Sequence, residues 1–129
     1  MPVFIDSTAF YNAVKSSDEI RQKYKDLKTK NEYENYYYGF KIGPSGNIIP
    51  MDSILDKSIN GFIYKYFNSY KWVPAHDKYN PKHNLISYGS LNFSLFPMKK
   101  IAIVTIIVGN GNLSYKTQVL YRKEIRMEK

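Results

Sequence analysis

Cysteine is absent from the 129-residue chain, which excludes disulfides, thiolate metal centres and a thiol nucleophile. A reducing cytoplasm suits that absence, and so does a cysteine-free envelope protein, so the compartment stays open. Long apolar runs are missing as well. The longest, IAIVTIIV from Ile101 to Val108, is β-branched and far short of the roughly twenty residues that span a bilayer. No membrane span is expected in this chain. The N-terminal MPVFIDSTAF has neither the basic nor the apolar region of a secretory signal. Histidine is scarce: His76 and His83 share a polar loop with Asp77. A metal centre needs roughly three or four ligands in suitable geometry. These read as surface loop residues, and neither metal nor cofactor is expected.

Tyrosine, in contrast, is abundant, with thirteen copies. Apolar residues make up 43% and charged ones 23% of the chain, a globular balance that argues against disorder. The length suits a single domain over residues 1–129. A net charge of +8 suits nucleic acid, acidic proteins or anionic lipid. That charge is spread along the chain without a basic block, which favours a solvated surface over a nucleic-acid footprint.

Periodicity supplies the elements. Asp6 and Ser7 can cap a helix on which Phe10, Ala13 and Val14 fall at helical spacing. Ser16 and Glu19 have capping-box spacing before Ile20, Tyr24 and Leu27. Two helices, or one bent helix, are expected to end near Lys30, with a polar turn over Asn31–Asn35. Tyr36, Tyr38, Phe40 and Ile42 then alternate as a half-buried strand. The stretch Gly43–Gly46 (GPSG) turns the chain, and Asn47–Pro50 returns as a short strand. Met51–Tyr70 carries an apolar helical face, with Gly61 expected at a close packing contact. Three strands follow. Leu91, Phe93 and Leu95 share a face in the first, and Lys100–Val108 is apolar on both faces, as an interior strand should be. The third runs over Leu113–Ile125, beyond a GNGN turn. The expectation is an α+β two-layer sandwich, an antiparallel sheet packed against helices in the order αββα and then three strands.

YYYGFKIGPSGNI, an amphipathic helix, KWVPA and LISYGSLNFSLF, in this order, resemble the C-terminal domain of TonB-type energy transducers. The matching positions are Phe40, Ile42, Gly46 and Ile48, then Trp72, Pro74 and Ala75, then Leu91, Phe93, Leu95 and Phe96. The resemblance covers roughly residues 2–97 and leaves 98–129 as an added β-hairpin extension. The transmembrane anchor and proline-rich spacer of a complete transducer are not in this chain. Each matched residue also has a fold role: Gly46 permits a tight turn, Trp72 can cap the core with its N–H seeking an acceptor, and Pro74 commits the chain to an extended exit. The resemblance implies a periplasmic or envelope location. It also implies a non-enzymatic module that recognises an extended peptide or protein by pairing along a sheet edge. That edge would be formed by Ile86, Tyr88, Ser90, Leu91, Asn92 and Phe93. If the extension covers it, a different partner or a homodimer is expected.

No catalytic constellation stands out. Asp18 and Glu19 suit a first helical turn, and Asp52 and Asp56 suit the start of the next helix. Ser45 and Ser90 have no visible base, and GPSGN and GNGN lack the Gly-Lys-Ser/Thr ending of a phosphate loop. No enzyme is expected. Two alternatives of other classes remain. Tyrosines interleaved with lysines could stack bases on a basic sheet, although the periodicity of Tyr36, Tyr38, Tyr66 and Tyr70 favours the core. The element order also suits a cone-shaped, small-ligand-binding fold of nuclear-transport-factor type.

Overall fold

A computed structural model describes residues 3–4, 7–51, 57–69, 72–73, 87–110 and 119–128. Helix α1 (Ser7–Ser16) buries Phe10, Ala13 and Val14, and α2 (Asp18–Lys30) buries Ile20, Tyr24 and Leu27. Ser17 breaks the helix between them with an extended backbone (φ −66°, ψ 134°). It also caps α2: its Oγ accepts from Ile20 N at 3.4 Å and donates to Glu19 Oε2 at 2.7 Å. The cap therefore sits one residue beyond the expected Ser16, whose hydroxyl instead donates back to Asn12 O within α1. Asn31 ends α2 in the left-handed region (φ 60°), which asparagine tolerates.

Strand β1 (Val3–Phe4) pairs with β4 (Trp72–Val73). Strand β2 (Glu34–Ile42) starts inside the segment expected to be a turn, and it buries Tyr36, Tyr38, Phe40 and Ile42. The turn after it closes with Gly43 N donating to Asn47 O at 2.9 Å and Gly46 at φ 86°, a conformation that glycine adopts without strain. Strand β3 (Ile48–Pro50) returns antiparallel to β2. Helix α3 (Lys57–Phe62) continues into a widened turn over Ile63–Phe67, where Asn68 N donates to Ile63 O at 2.9 Å. This is the i to i−5 bond of a π turn. Gly61, expected at a close contact, is exposed, and nothing lies within 4 Å of where a Cβ would stand.

The main sheet is antiparallel, in the order β3-β2-β5-β6-β7, with β5 (Ser87–Phe96), β6 (Ile101–Asn110) and β7 (Val119–Arg126) forming its second half. The helices pack on one face, and among the described residues none covers the other. The α+β two-layer sandwich expected from the element order is present. Gly109 and Asn110 of the expected GNGN turn still belong to β6, and residues 111–118, with the rest of that turn and the start of the last strand, lie outside the described set.

Phe67 is the centre of the core. Its ring lies 5.1 Å from Phe40, 5.3 Å from Phe10, 5.6 Å from Phe4, 6.1 Å from Tyr38 and 6.5 Å from Trp72, centroid to centroid. Those partners come from β1, α1, β2 and β4, so one side chain joins both sheets to the helices. Truncating such a residue removes burial and leaves a cavity. Phe67→Ala should cost roughly 3–5 kcal/mol, a large part of a typical domain's stability. Tyr66→Ala, at a half-buried neighbour, should cost clearly less; urea unfolding of both variants checks this.

Candidate binding surface

The fold-motif residues come together. Trp72 N donates to Gly46 O at 3.0 Å, the Trp72 ring lies 6.1 Å from Phe40, and Ile42 faces Ile48 across the hairpin. The indole N–H of buried Trp72 finds no hydrogen-bond partner among the described residues. Pro74 lies outside the described residues. Phe40, Ile42, Gly46 and Trp72 therefore act through packing and turn geometry.

The expected docking edge is not an edge. Tyr88, Ser90, Leu91, Asn92 and Phe93 belong to β5, which pairs with β2 on one side and β6 on the other. Leu91 faces Tyr38 and Ile106, and Phe93 faces Tyr36 and Val104; both are core residues. The physical reason lies downstream: β6 buries Ala102, Val104, Ile106 and Val108 on the helix side, so it pairs along the full length of β5 and takes up its free backbone groups. Docking by strand addition at these positions is excluded. Ile86 lies outside the described residues.

Two strands end the main sheet. On β3 the edge is three residues long and finishes in Pro50, a short, proline-blunted edge. The other edge, β7, has eight residues. Met127 N donates to Lys100 O at 2.8 Å, directly across the ladder from it. That bond sets the phase of the antiparallel alternation. Tyr121, Lys123 and Ile125 turn their backbone groups toward β6, while Leu120, Arg122, Glu124 and Arg126 turn theirs away from it. Arg122, Lys123 and Arg126 are exposed, and Lys99 and Lys100 lie at one end. A shallow depression of about 400 Å³ opens there, lined by Lys99, Lys100, Ile101, Glu124, Arg126 and Glu128. Composition alone did not single out this strand. Its available signal was YRKEIR, a charged run inside a segment with strand alternation.

The helix-free face has its own character. Tyr37 is 59% and Tyr88 38% exposed on it, and at one end Tyr33 stacks on Phe96 at 5.3 Å. Of the tyrosines weighed earlier for base stacking, Tyr36 and Tyr38 are buried and Tyr66 is half-buried, while Tyr70 lies outside the described residues. Burial pushes the Tyr38 phenol up to about 12, and its hydroxyl donates to Asn68 Oδ1 at 3.0 Å. Among the described residues no three His, Cys, Asp or Glu side chains cluster as metal ligands. His76, Asp77, His83, Asp52 and Asp56 fall outside the described set. No described helix is long and apolar enough to cross a membrane.

No family model, curated protein or solved structure matches this chain.

The C-terminal end of β7 is tied to α2. Lys28 Nζ lies 2.5 Å from Glu128 Oε1, and Tyr24 Oη donates to the other carboxylate oxygen. The hydrogen bond from Lys28, then that from Tyr24, holds the Glu128 carboxyl below its usual value of 4.5. Burial, followed by the Glu128 contact, raises the Tyr24 phenol. A depressed carboxyl contributes stability above its unfolded pKa and loses it as pH falls through the folded one. Below about pH 4.5, the wild-type chain should thus lose part of its thermal stability. Glu128→Gln should show a smaller acid-dependent change, with a lower melting temperature near neutrality; calorimetry across pH reads both.

Proposed function

We propose that this chain is a non-enzymatic protein-binding module that takes up an extended, acidic segment as an additional strand along β7. The observation that carries this reading is the eight-residue terminal strand with outward backbone groups on alternate residues, set in basic side chains. Strand addition draws affinity from main-chain hydrogen bonds and selectivity from alternate side chains. Here a partner's residues on one face would meet Arg122 and Arg126, and those on the other would continue the row of Tyr121 and Ile125. Lys99 and Lys100 extend the basic path beyond the strand.

Charge also separates a foreign partner from a second copy. Antiparallel pairing of two β7 strands through their outward groups has three registers that keep most of the bonds. One sets Lys123 opposite Lys123 but flanks it with two Arg122–Glu124 pairs, a second sets Arg122 opposite Arg122, and the third sets Glu124 opposite Glu124 and Arg122 opposite Arg126. Like charges directly opposed destabilise a strand pair, and charged edges are a common guard against self-association. An acidic strand meets attraction at Arg122, Lys123 and Arg126 in any register, whereas a copy gains opposite-charge pairs in only one of the three. This favours a foreign acidic partner. The location in the cell envelope that the TonB resemblance implies remains part of the proposal.

A peptide alternating Glu and Val, as long as β7, should bind, and its Lys-Val counterpart should not. Glu124→Pro removes an outward N–H that the sheet itself does not use, a position where an edge strand tolerates proline. It should weaken the Glu-Val peptide about tenfold or more while the fold is kept, as read by titration calorimetry and circular dichroism. Undiminished binding to Glu124→Pro would count against strand addition.

A further inference from the structure

The helix-free face presents an arrangement that strand addition at β7 leaves unused. Tyr37, Asn92, Thr105 and Arg122 are register partners across β2, β5, β6 and β7. One transverse row thus sets an exposed ring, an amide, a hydroxyl and a guanidinium side by side. Toward one end of the face Tyr88 stands opposite Lys41. Toward the other, Tyr33 is 60% exposed and stacks on Phe96. Tyr33, just before β2, and Tyr37 are four residues apart, as are Tyr37 and Lys41 opposite Tyr88. At strand rise that spacing is about 13–14 Å.

A tyrosine ring held in water on an uncovered sheet has lost the usual reason to be there, which is burial. An unpaired nucleobase supplies it: flat faces that stack on aromatic rings, polar edges that amides and hydroxyls can read, and a phosphate chain that cations hold. The aliphatic residues of this face include Ile101, Ile103 and Ile107, partly exposed, and Ile49, 38% exposed opposite Lys41; Tyr33 and Tyr37 are the more exposed, at 60% and 59%. A second copy carries the same net charge of +8 and is repelled. Glu124 lies between Arg122 and Arg126 on this face, so the phosphate path favours Arg122 and Lys41 over the length of β7.

We infer that the open face of the sheet binds single-stranded nucleic acid. Tyr37 and Tyr88 stack bases, Asn92 and Thr105 contact base edges, and Arg122 and Lys41 hold phosphates. A duplex hides its base faces and is a poor ligand for such a platform.

The test uses the full chain and a fluorescent oligothymidylate of ~15 nucleotides, with anisotropy read from about 50 to about 200 mM salt. The oligonucleotide should bind and a duplex of equal length should bind more weakly. Tyr37→Ala should lower affinity roughly 5- to 100-fold, with Tyr88→Ala in the same direction and Tyr37→Phe close to wild type. Arg122→Gln should reduce the logarithmic salt slope by roughly 0.7. Tyr64→Ala, an exposed ring on the helical side, should change nothing, and Glu124→Pro, which removes a carboxylate beside Arg122, should not lower this affinity. Duplex binding as tight as single-strand binding, or affinity unmoved in both Tyr37→Ala and Tyr88→Ala, would overturn the inference. So would absence of oligonucleotide binding. If the Glu-Val peptide bound in that last case, the face would be left to a protein ligand and the β7 reading would stand.

Discussion

The contact between Phe67 and the rings around it holds the two halves of the fold in place. The π turn that precedes Asn68 shifts the helical phase by one residue and so sets the direction in which Phe67 points, among Phe4, Phe10, Phe40 and Trp72. Phe40 in turn reaches across the sheet to β5. A Cβ at Gly89 would stand 2.7 Å from Phe40 Cζ and 2.9 Å from Ile107 O, so glycine there lets the ring lie against the backbone. Through this chain of contacts the helix, the hairpin and the middle of the sheet are packed as one body.

Because that packing makes β5 the middle strand, the binding surfaces move outward. The apolar inner row of β6 seals β5, and the clip from Glu128 to Lys28 and Tyr24 anchors the last strand to α2. Among the described residues nothing pairs beyond the basic strand β7 and no helix covers the tyrosine-bearing face behind it. On the proposed reading the two surfaces take up different anions. Free backbone groups on β7 suit an extended polypeptide, and rings standing on the sheet suit unstacked bases.

Much of the fold was legible in the sequence. Period-two alternation in Tyr36 to Ile42, helical spacing in Phe10 to Val14, and the two-sided apolarity of Lys100–Val108 each have a local physical cause, and the structure places them accordingly. The Ser17 cap was missed by one residue because two adjacent serines offer the same hydroxyl, and only the backbone bend selects between them. Gly61 misled because a glycine in a helix can mark tight packing or mere exposure. The site was less legible. Strand order is a non-local property, and whether Leu91 and Phe93 lie on an edge depends on what pairs beyond them. Tyr37 was hidden between two buried tyrosines, although its odd phase in the alternation assigned it to the other face. The TonB-type resemblance implied a docking strand over Ile86–Phe93, and β6 already pairs there along Ser87–Phe93.

The central claim is that β5 is interior and β7 is the open edge, and residue-resolved amide hydrogen exchange tests it most directly. An interior β5 predicts slow exchange at successive residues from Tyr88 to Leu95, since both neighbours take up its amides. An open β7 predicts alternation: slow at Tyr121, Lys123 and Ile125, fast at Arg122, Glu124 and Arg126. Alternating exchange along β5, or uniformly slow exchange along β7, would contradict it.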